Sequence, residues 1–224
     1  MVSSTTTAPN ANAIIGGSTA SHLRGQVQFW IDGEQMCSGT LIGGNWVLTA
    51  KHCITKYGAT IHNSSIYAGS RHLGEGHRMT IAGIYKHATQ DAALLNLWQN
   101  VPNYENVVVG YGLGSPGLTV NVAISGWGVT TLGSEDSALE LQIASMRVNR
   151  FWYHDPIIGS GNTAISYVYN GSGVTAAGDS GGGVYIAGRI FAVHCTGDGI
   201  STGTGVLTHN IAPWIQSTTG ISPS

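Results

Sequence analysis

The stretch Thr175-Ala176-Ala177-Gly178-Asp179-Ser180-Gly181-Gly182-Gly183 sets one hydroxyl inside a run of glycines, directly after a carboxylate. A serine is a weak nucleophile at its own pKa, so it needs a nearby base and a place for developing negative charge. Glycines let the backbone turn sharply and bring N–H groups close to a substrate atom. Two such N–H groups aimed at one point stabilise an oxyanion, often the largest contribution to acyl-transfer catalysis. A glycine-rich turn with an incidental serine has the same composition, so the motif is a hypothesis. The rest of the chain has to supply a histidine, an aspartate and a compatible fold.

Two other stretches carry such residues. Thr49-Ala50-Lys51-His52-Cys53 puts a histidine just after an apolar strand, and Asp91-Ala92-Ala93-Leu94-Leu95-Asn96-Leu97 puts one carboxylate at the head of another. Taken singly, such a histidine is more often structural and such an aspartate more often a cap. A buried aspartate that accepts from one imidazole nitrogen fixes the tautomer and stabilises the imidazolium that forms, which gives both residues a shared purpose. Cys37 lies upstream of Cys53 across an expected hairpin, and a bridge between them would clamp the strands that carry His52. With three cysteines in all, one disulfide plus one free thiol is the simplest arrangement.

The 224 residues make room for one large domain or two small ones. Hydrophobic residues reach 42%, enough for a core, but charged residues only 9%, far below the usual quarter. The surface is therefore built of Ser, Thr, Asn and Gly, which suits a rigid secreted β protein. A net charge of −2 gives no basic field for nucleic acid or an anionic membrane. No apolar run is long enough to span a bilayer as a helix. Residues 1–13 are small and polar without the basic-then-apolar pattern of a signal peptide, and read as a disordered propeptide remnant or leader. Asn63-Ser64-Ser65 and Asn170-Gly171-Ser172 fit the N-glycosylation pattern, which matters only in a eukaryotic secretory route. His72, Glu75 and His77 lie close in sequence, but without a fixed helix or strand a solvated loop is the simpler reading, and neither metal nor cofactor is expected.

Short β-rich runs fall at residues 27–31, 38–42, 45–49, 65–68, 78–84 and 92–98, and resume at 118–127, 139–148, 163–169, 183–186, 189–194 and 205–208. Asp32-Gly33 marks a tight hairpin, and turn residues recur every eight to twelve positions, which favours a barrel or sandwich over a βα repeat. Residues 102–117 form the expected link between two halves. Residues 210–217 are the best helix candidate, with Ile211, Trp214 and Ile215 at helical spacing.

With these stretches in hand, the chain resembles the chymotrypsin-like serine protease family. Ile14-Ile15-Gly16-Gly17 resembles the family's mature N-terminus, residues 49–53 its histidine motif with Lys51 where alanine is usual, residues 91–95 its aspartate strand, Ser125-Gly126-Trp127-Gly128 a strand and turn, and residues 178–182 its serine motif, all in family order. The resemblance implies an all-β fold of two antiparallel six-stranded β-barrels, residues 14–106 and 107–208, followed by a C-terminal helix and tail over residues 209–224. It implies His52 as base, Asp91 as its orienting partner, Ser180 as nucleophile, the N–H groups of Gly178 and Ser180 as oxyanion hole, and a Cys37–Cys53 disulfide. It also implies that proteolysis before Ile14 frees an amine that pairs with Asp179, making the chain as written a zymogen. The expected partners are a protein or peptide substrate and protein inhibitors, acting on a secreted monomer.

Specificity in this family sits at the wall of the primary pocket. Val174 stands six residues before Ser180, where trypsin-like members carry aspartate, so cleavage after Lys or Arg is not expected. Thr175 follows it, and His194 falls on the pocket wall in Ala192-Val193-His194-Cys195-Thr196-Gly197, a stretch resembling the substrate-pairing strand. The glutamate-specific branch carries a histidine there and often a Thr or Ser near Thr175. An imidazole and a hydroxyl both donate to a carboxylate, which needs donors on leaving water. The expectation is a preference for Glu before the cut bond, although Ala177 departs from the serine of some relatives. The alternatives are a chymotrypsin- or elastase-like pocket, in which His194 is merely structural, and an inactive binding protein of the same fold. Thr196 and Gly197 are expected to offer backbone groups to an extended substrate, and Cys195 to be a buried, inert thiol. An α/β-hydrolase is excluded by order, since that fold runs Ser, acid, His.

Overall fold

A computed structural model describes residues 14–106, 108–114 and 116–224. The leader expected at residues 1–13 and the barrel boundary expected at residue 107 lie outside the described residues. The strands are β1 (Ser18–Thr19), β2 (Gln26–Ile31), β3 (Glu34–Gly43), β4 (Trp46–Thr49), β5 (Ser64–Ala68), β6 (His77–Lys86), β7 (Ala93–Leu97), β8 (Asn121–Gly126), β9 (Gln142–His154), β10 (Asn162–Ser172), β11 (Gly183–Ile186), β12 (Arg189–Gly197) and β13 (Thr202–Leu207). Among the described residues, the helix α1 (Lys51–Thr55) follows β4 and the helix α2 (Thr208–Thr219) follows β13.

The first six-stranded barrel closes in the order β2-β3-β4-β7-β6-β5, with β5 returning to pair with β2. Closure leaves no open edge, which removes a site for unwanted strand pairing. The β2–β3 hairpin turns on Asp32 and Gly33, both at positive φ (53° and 87°). This is the primed turn whose twist matches that of the flanking strands. Phe29, Leu41, Leu48, Ile66, Ile81, Leu94 and Leu95 on its strands are all buried in one apolar core.

The second barrel runs β8-β9-β10-β13-β12-β11, and the pairing of β11 with β8 closes it. Residues 142, 144, 146 and 148 of β9 are buried, while Arg147 and Asn149 are exposed. That alternation is the mark of a strand with one face on a core. The short β1 lies on β9 of this second barrel, Ser18 opposite Ile143.

The C-terminal helix packs Ile211, Ala212 and Ile215 inward and stops at Gly220, whose left-handed φ of 77° lets its N–H return to the Gln216 carbonyl. Thr208, expected at the end of a strand, instead opens this helix, and its hydroxyl donates to the Gly112 carbonyl at 2.8 Å. Cys37 on β3 and Cys53 on α1 form a disulfide across a sequence separation of 16.

That bridge restricts the unfolded chain, which for a loop of this length is worth roughly 2–4 kcal/mol. The double variant Cys37→Ala/Cys53→Ala should therefore unfold at markedly lower urea concentration. An unchanged midpoint would contradict the assignment of stability to the bridge.

Candidate active site

His52 and Asp91 meet because of strand register. β4 and β7 are antiparallel neighbours with Thr49 opposite Ala93. The residues just after β4 and just before β7 therefore emerge at the same end of the barrel. His52 sits on α1, a single turn that follows β4 directly. Its backbone N–H donates to Asp91 Oδ1 at 2.8 Å, and its Nδ1 lies 2.7 Å from Oδ2. Burial pushes the Asp91 carboxyl up, but the hydrogen bonds and charge of His52 more than offset it and hold the group below the usual aspartate range. An ionised carboxylate only accepts, so the imidazole proton resides on Nδ1 and Nε2 presents a bare lone pair.

The Ser180 loop is tied to both barrels. The Ser180 carbonyl accepts from the Ser38 N–H of β3 at 2.8 Å, and the Gly181 N–H donates to the His194 carbonyl of β12 at 2.7 Å. Gly181 has φ +87°, and a Cβ there would overlap the Ser38 carbonyl oxygen and Thr49 Oγ1. Only glycine permits this approach. The Ser180 hydroxyl donates to the Cys195 carbonyl at 2.9 Å rather than to His52. One sulfur links the two residues in space: Cys53 Sγ lies 3.9 Å from His52 Nε2 and 3.7 Å from the Ser180 carbonyl. Both disulfide sulfurs are consumed by their own bond, so the nearby imidazole adds no thiolate metal site. His52, Asp91, Gly178 and Ser180 all line one cleft of about 580 Å³, together with Ala176, Ala177, Cys195, Thr196 and Gly197.

The Ala177 carbonyl accepts from the Val129 N–H at 2.7 Å. In a trans peptide the C=O and N–H point in opposite directions, so the Gly178 N–H is directed away from Val129. Among the described residues, neither the Gly178 nor the Ser180 N–H has a protein acceptor. The Gly178 carbonyl is held by Ser38 Oγ at 3.0 Å and Gln35 Nε2 at 3.2 Å.

Asp179 is fully buried. Its two carboxyl oxygens accept from the Gly128 and Ala176 N–H groups, both at 2.9 Å. Gly126 and Gly128 crowd the carboxyl so closely that a Cβ on either would overlap it. Burial pushes this group up to about 7 against the pull of those two N–H donors, and among the described residues no cation pairs with it. Ile14 is buried, and Ile15 pairs antiparallel with Val174, just upstream of the serine motif.

Of the expected pocket residues, Thr196 and Gly197 line the cleft, whereas Thr175 and His194, expected on the pocket wall, are fully buried and do not line it. Val174 belongs to the core of the second barrel. Among the described residues, Thr175 Oγ1 and His194 Nε2 are buried without a hydrogen-bond partner. Such atoms are rare and call for an explanation. His194 Nδ1 meets the Tyr167 hydroxyl. Burial pushes the His194 imidazole down to about 3, with His52 adding to the effect and the Thr204 backbone carbonyl opposing it as a hydrogen-bond acceptor, so the ring is neutral near pH 7. Gly197 and Gly203 leave open the space around Thr175, since a Cβ on either would crowd its hydroxyl. Tyr167 is not singled out by the sequence, although a buried tyrosine usually signals that its hydroxyl has a partner. Cys195 is buried, and burial pushes its thiol well above the ordinary range. His72 faces Glu140 at 3.4 Å on the exposed surface, away from this cleft.

The family model described as Trypsin matches residues 14–215. Serine protease SP24D of Anopheles gambiae is 34% identical over 51% of this chain and 46% of its own. An uncharacterized peptidase of Corynebacterium glutamicum (strain R) is 33% identical over 82% of this chain and 60% of its own. Trypsin alpha of Drosophila melanogaster is 25% identical over 60% of this chain and 56% of its own. The chain spans about half the length of the curated relatives it matches.

The Asp179 environment has a consequence for stability. Its folded pKa of about 7 lies above the ordinary 3.8. Between those values the folded state keeps a proton that the unfolded state has lost, so stability falls as pH rises. The contribution is roughly one kcal/mol per pH unit at most. Urea unfolding of the chain with residues 1–13 attached should show this decline between pH 4 and 7, and Asp179→Asn should remove it. Parallel curves for the two proteins would contradict it.

Proposed function

The chain belongs to the trypsin family, and on that premise we propose that it is a secreted serine endopeptidase, with Ser180 as nucleophile and a preference for glutamate before the cut bond. The observation that carries the catalytic part is the Asp91–His52 couple, whose bare Nε2 accompanies Ser180 and two unclaimed N–H groups in one cleft.

The chemistry follows from those groups. The Ser180 hydroxyl turns from the Cys195 carbonyl toward His52 Nε2 and gives up its proton as Oγ attacks the scissile carbonyl. The carbonyl oxygen, now negative, is received by the N–H groups of Gly178 and Ser180. His52, protonated and steadied by Asp91, passes the proton to the leaving amine as the C–N bond breaks. Water, deprotonated by the same imidazole, then attacks the acyl-enzyme ester, and as the C–Oγ bond breaks the imidazolium returns that proton to Oγ, which releases the acid and free Ser180. An extended substrate lies along the Thr196-Gly197 end of β12 and adds its backbone to that strand.

Glutamate specificity is supported by the two buried unpaired atoms, Thr175 Oγ1 and His194 Nε2. A hydroxyl and a neutral imidazole N–H satisfy a desolvated carboxylate, while Val174 offers a cationic side chain nothing. Activation follows from Asp179. A free amine at Ile14 would give this buried carboxylate the charge partner that ionisation requires, and would hold the Gly178 loop in place. The Cys37–Cys53 disulfide suits an oxidising, extracellular setting.

With chain beginning at Ile14, a fluorophosphonate should label the wild type and leave Ser180→Ala unlabelled. Failure to label would favour an inactive binding protein. Asp91→Asn should lower kcat by about a thousandfold or more with little change in KM. Peptides with Glu before the cut should be turned over at least tenfold faster than those with Phe or Ala. Cleavage after Phe or Ala with negligible Glu turnover would replace the acidic preference with an apolar one.

A further inference from the structure

The second barrel holds a polar contact outside the catalytic couple. Tyr167 of β10 stands opposite Gly203 of β13, and His194 of β12 stands opposite Gly205. Gly203 and Gly205 are two residues apart and so share one face of β13. The missing side chain at Gly203 is essential, because a Cβ there would overlap the Tyr167 ring and lie 3.0 Å from Thr175 Oγ1. Through this gap the Tyr167 hydroxyl reaches His194 Nδ1, with ring centroids 5.8 Å apart. Tyr167, Thr175 and His194 are all fully buried.

We infer that Tyr167 is a positioning residue for specificity, donating its hydroxyl proton to His194 Nδ1 and thereby keeping the imidazole proton on Nε2, the nitrogen left for a substrate carboxylate. This deepens the glutamate preference proposed above and rests on it. A neutral imidazole carries one proton and two inequivalent nitrogens. With the proton on Nε2, the ring donates toward an incoming carboxylate. With the proton on Nδ1, a lone pair faces that carboxylate and repels it. The Tyr167 hydroxyl has one proton and two acceptors in reach, His194 Nδ1 and the Thr204 carbonyl at 3.2 Å. The choice between them sets the tautomer. If Tyr167 gives its proton to Thr204, it accepts from Nδ1–H and the pocket suits an amide or ammonium donor. If it gives the proton to Nδ1, the pocket suits an acid. The other titratable groups around this pair are Cys195, the chain neighbour of His194, His52, and Asp179 and Tyr153 near Tyr167.

The test reads the tautomer directly. In chain beginning at Ile14 and labelled with ¹⁵N-histidine, the His194 signals are assigned by their loss in His194→Gln. The wild type should show a protonated Nε2 and a bare Nδ1, and Tyr167→Phe should lose that pattern. The same variant should lower the ratio of kcat/KM for Glu over Phe substrates about tenfold or more, mainly through KM, with rates normalised to sites titrated by fluorophosphonate. A wild-type spectrum with the proton on Nδ1 overturns the inference without needing any variant. So does a Tyr167→Phe protein that keeps the Nε2–H pattern, whatever its turnover. A wild type that shows no preference for Glu removes the specificity reading, while the nitrogen spectrum still decides the role of Tyr167.

Discussion

The loop around Ser180 is hydrogen-bonded to both barrels at once, and the site depends on that seam. Ser38 of β3 holds the Ser180 carbonyl, and His194 of β12 holds the Gly181 N–H. His52 and Asp91 belong to the first barrel, while the loop with Ser180 and the N–H groups of Gly178 and Ser180 grows from the second. A relative shift of one ångström between barrels would change the reach from the His52 imidazole to the Ser180 hydroxyl, and misplacement on that scale is costly to a reaction that must join them. Gly181 is the residue that makes the seam possible, since any Cβ would drive the Ser38 carbonyl and Thr49 away. Losing one of these buried backbone bonds leaves a polar group stranded, at about 1–3 kcal/mol.

Two buried aspartates beside this seam are treated in opposite ways. Asp91 has an imidazole and a backbone N–H as partners, and its carboxyl stays below the usual range despite burial. Among the described residues Asp179 has two backbone N–H groups as partners, and burial wins. The difference lies in the partners: a backbone N–H plus an imidazole for Asp91, backbone N–H groups alone for Asp179. His194 makes a third case, a histidine kept neutral by burial, with one nitrogen engaged and the other idle. These environments set the three groups' protonation apart by solvation and partners rather than by residue type alone.

Much of this was readable in the sequence, for local reasons. Asp32-Gly33 announced its hairpin because only certain residues take positive φ there. Residues 183–186 were read as a strand and form one, and Ile211 and Ile215 were read as one helix face and are buried together. From the stretches at residues 49–53, 91–97 and 175–183, His52, Asp91 and Ser180 line one cleft. The rest depends on distant neighbours. β9 runs to residue 154 through Arg147 and Arg150 because those side chains face outward, which no local hydrophobic pattern declares. The turn of α1 was invisible, since five residues carry no helical period. Tyr167 escaped notice because its partner lies across β13, and only the register of β10, β13 and β12 reveals it.

The claim at the centre is that Asp91, His52, Ser180 and the N–H groups of Gly178 and Ser180 act on one reacting atom. A crystal structure of chain beginning at Ile14, after reaction with a peptidyl phosphonate ester, addresses it most directly. The account predicts phosphorus bonded to Ser180 Oγ, its phosphoryl oxygen about 3 Å from both N–H nitrogens, and His52 still held by Asp91 with Nε2 turned toward the adduct. Phosphorus on another residue, or on Ser180 with that oxygen facing solvent and Nε2 out of hydrogen-bond reach, would contradict it.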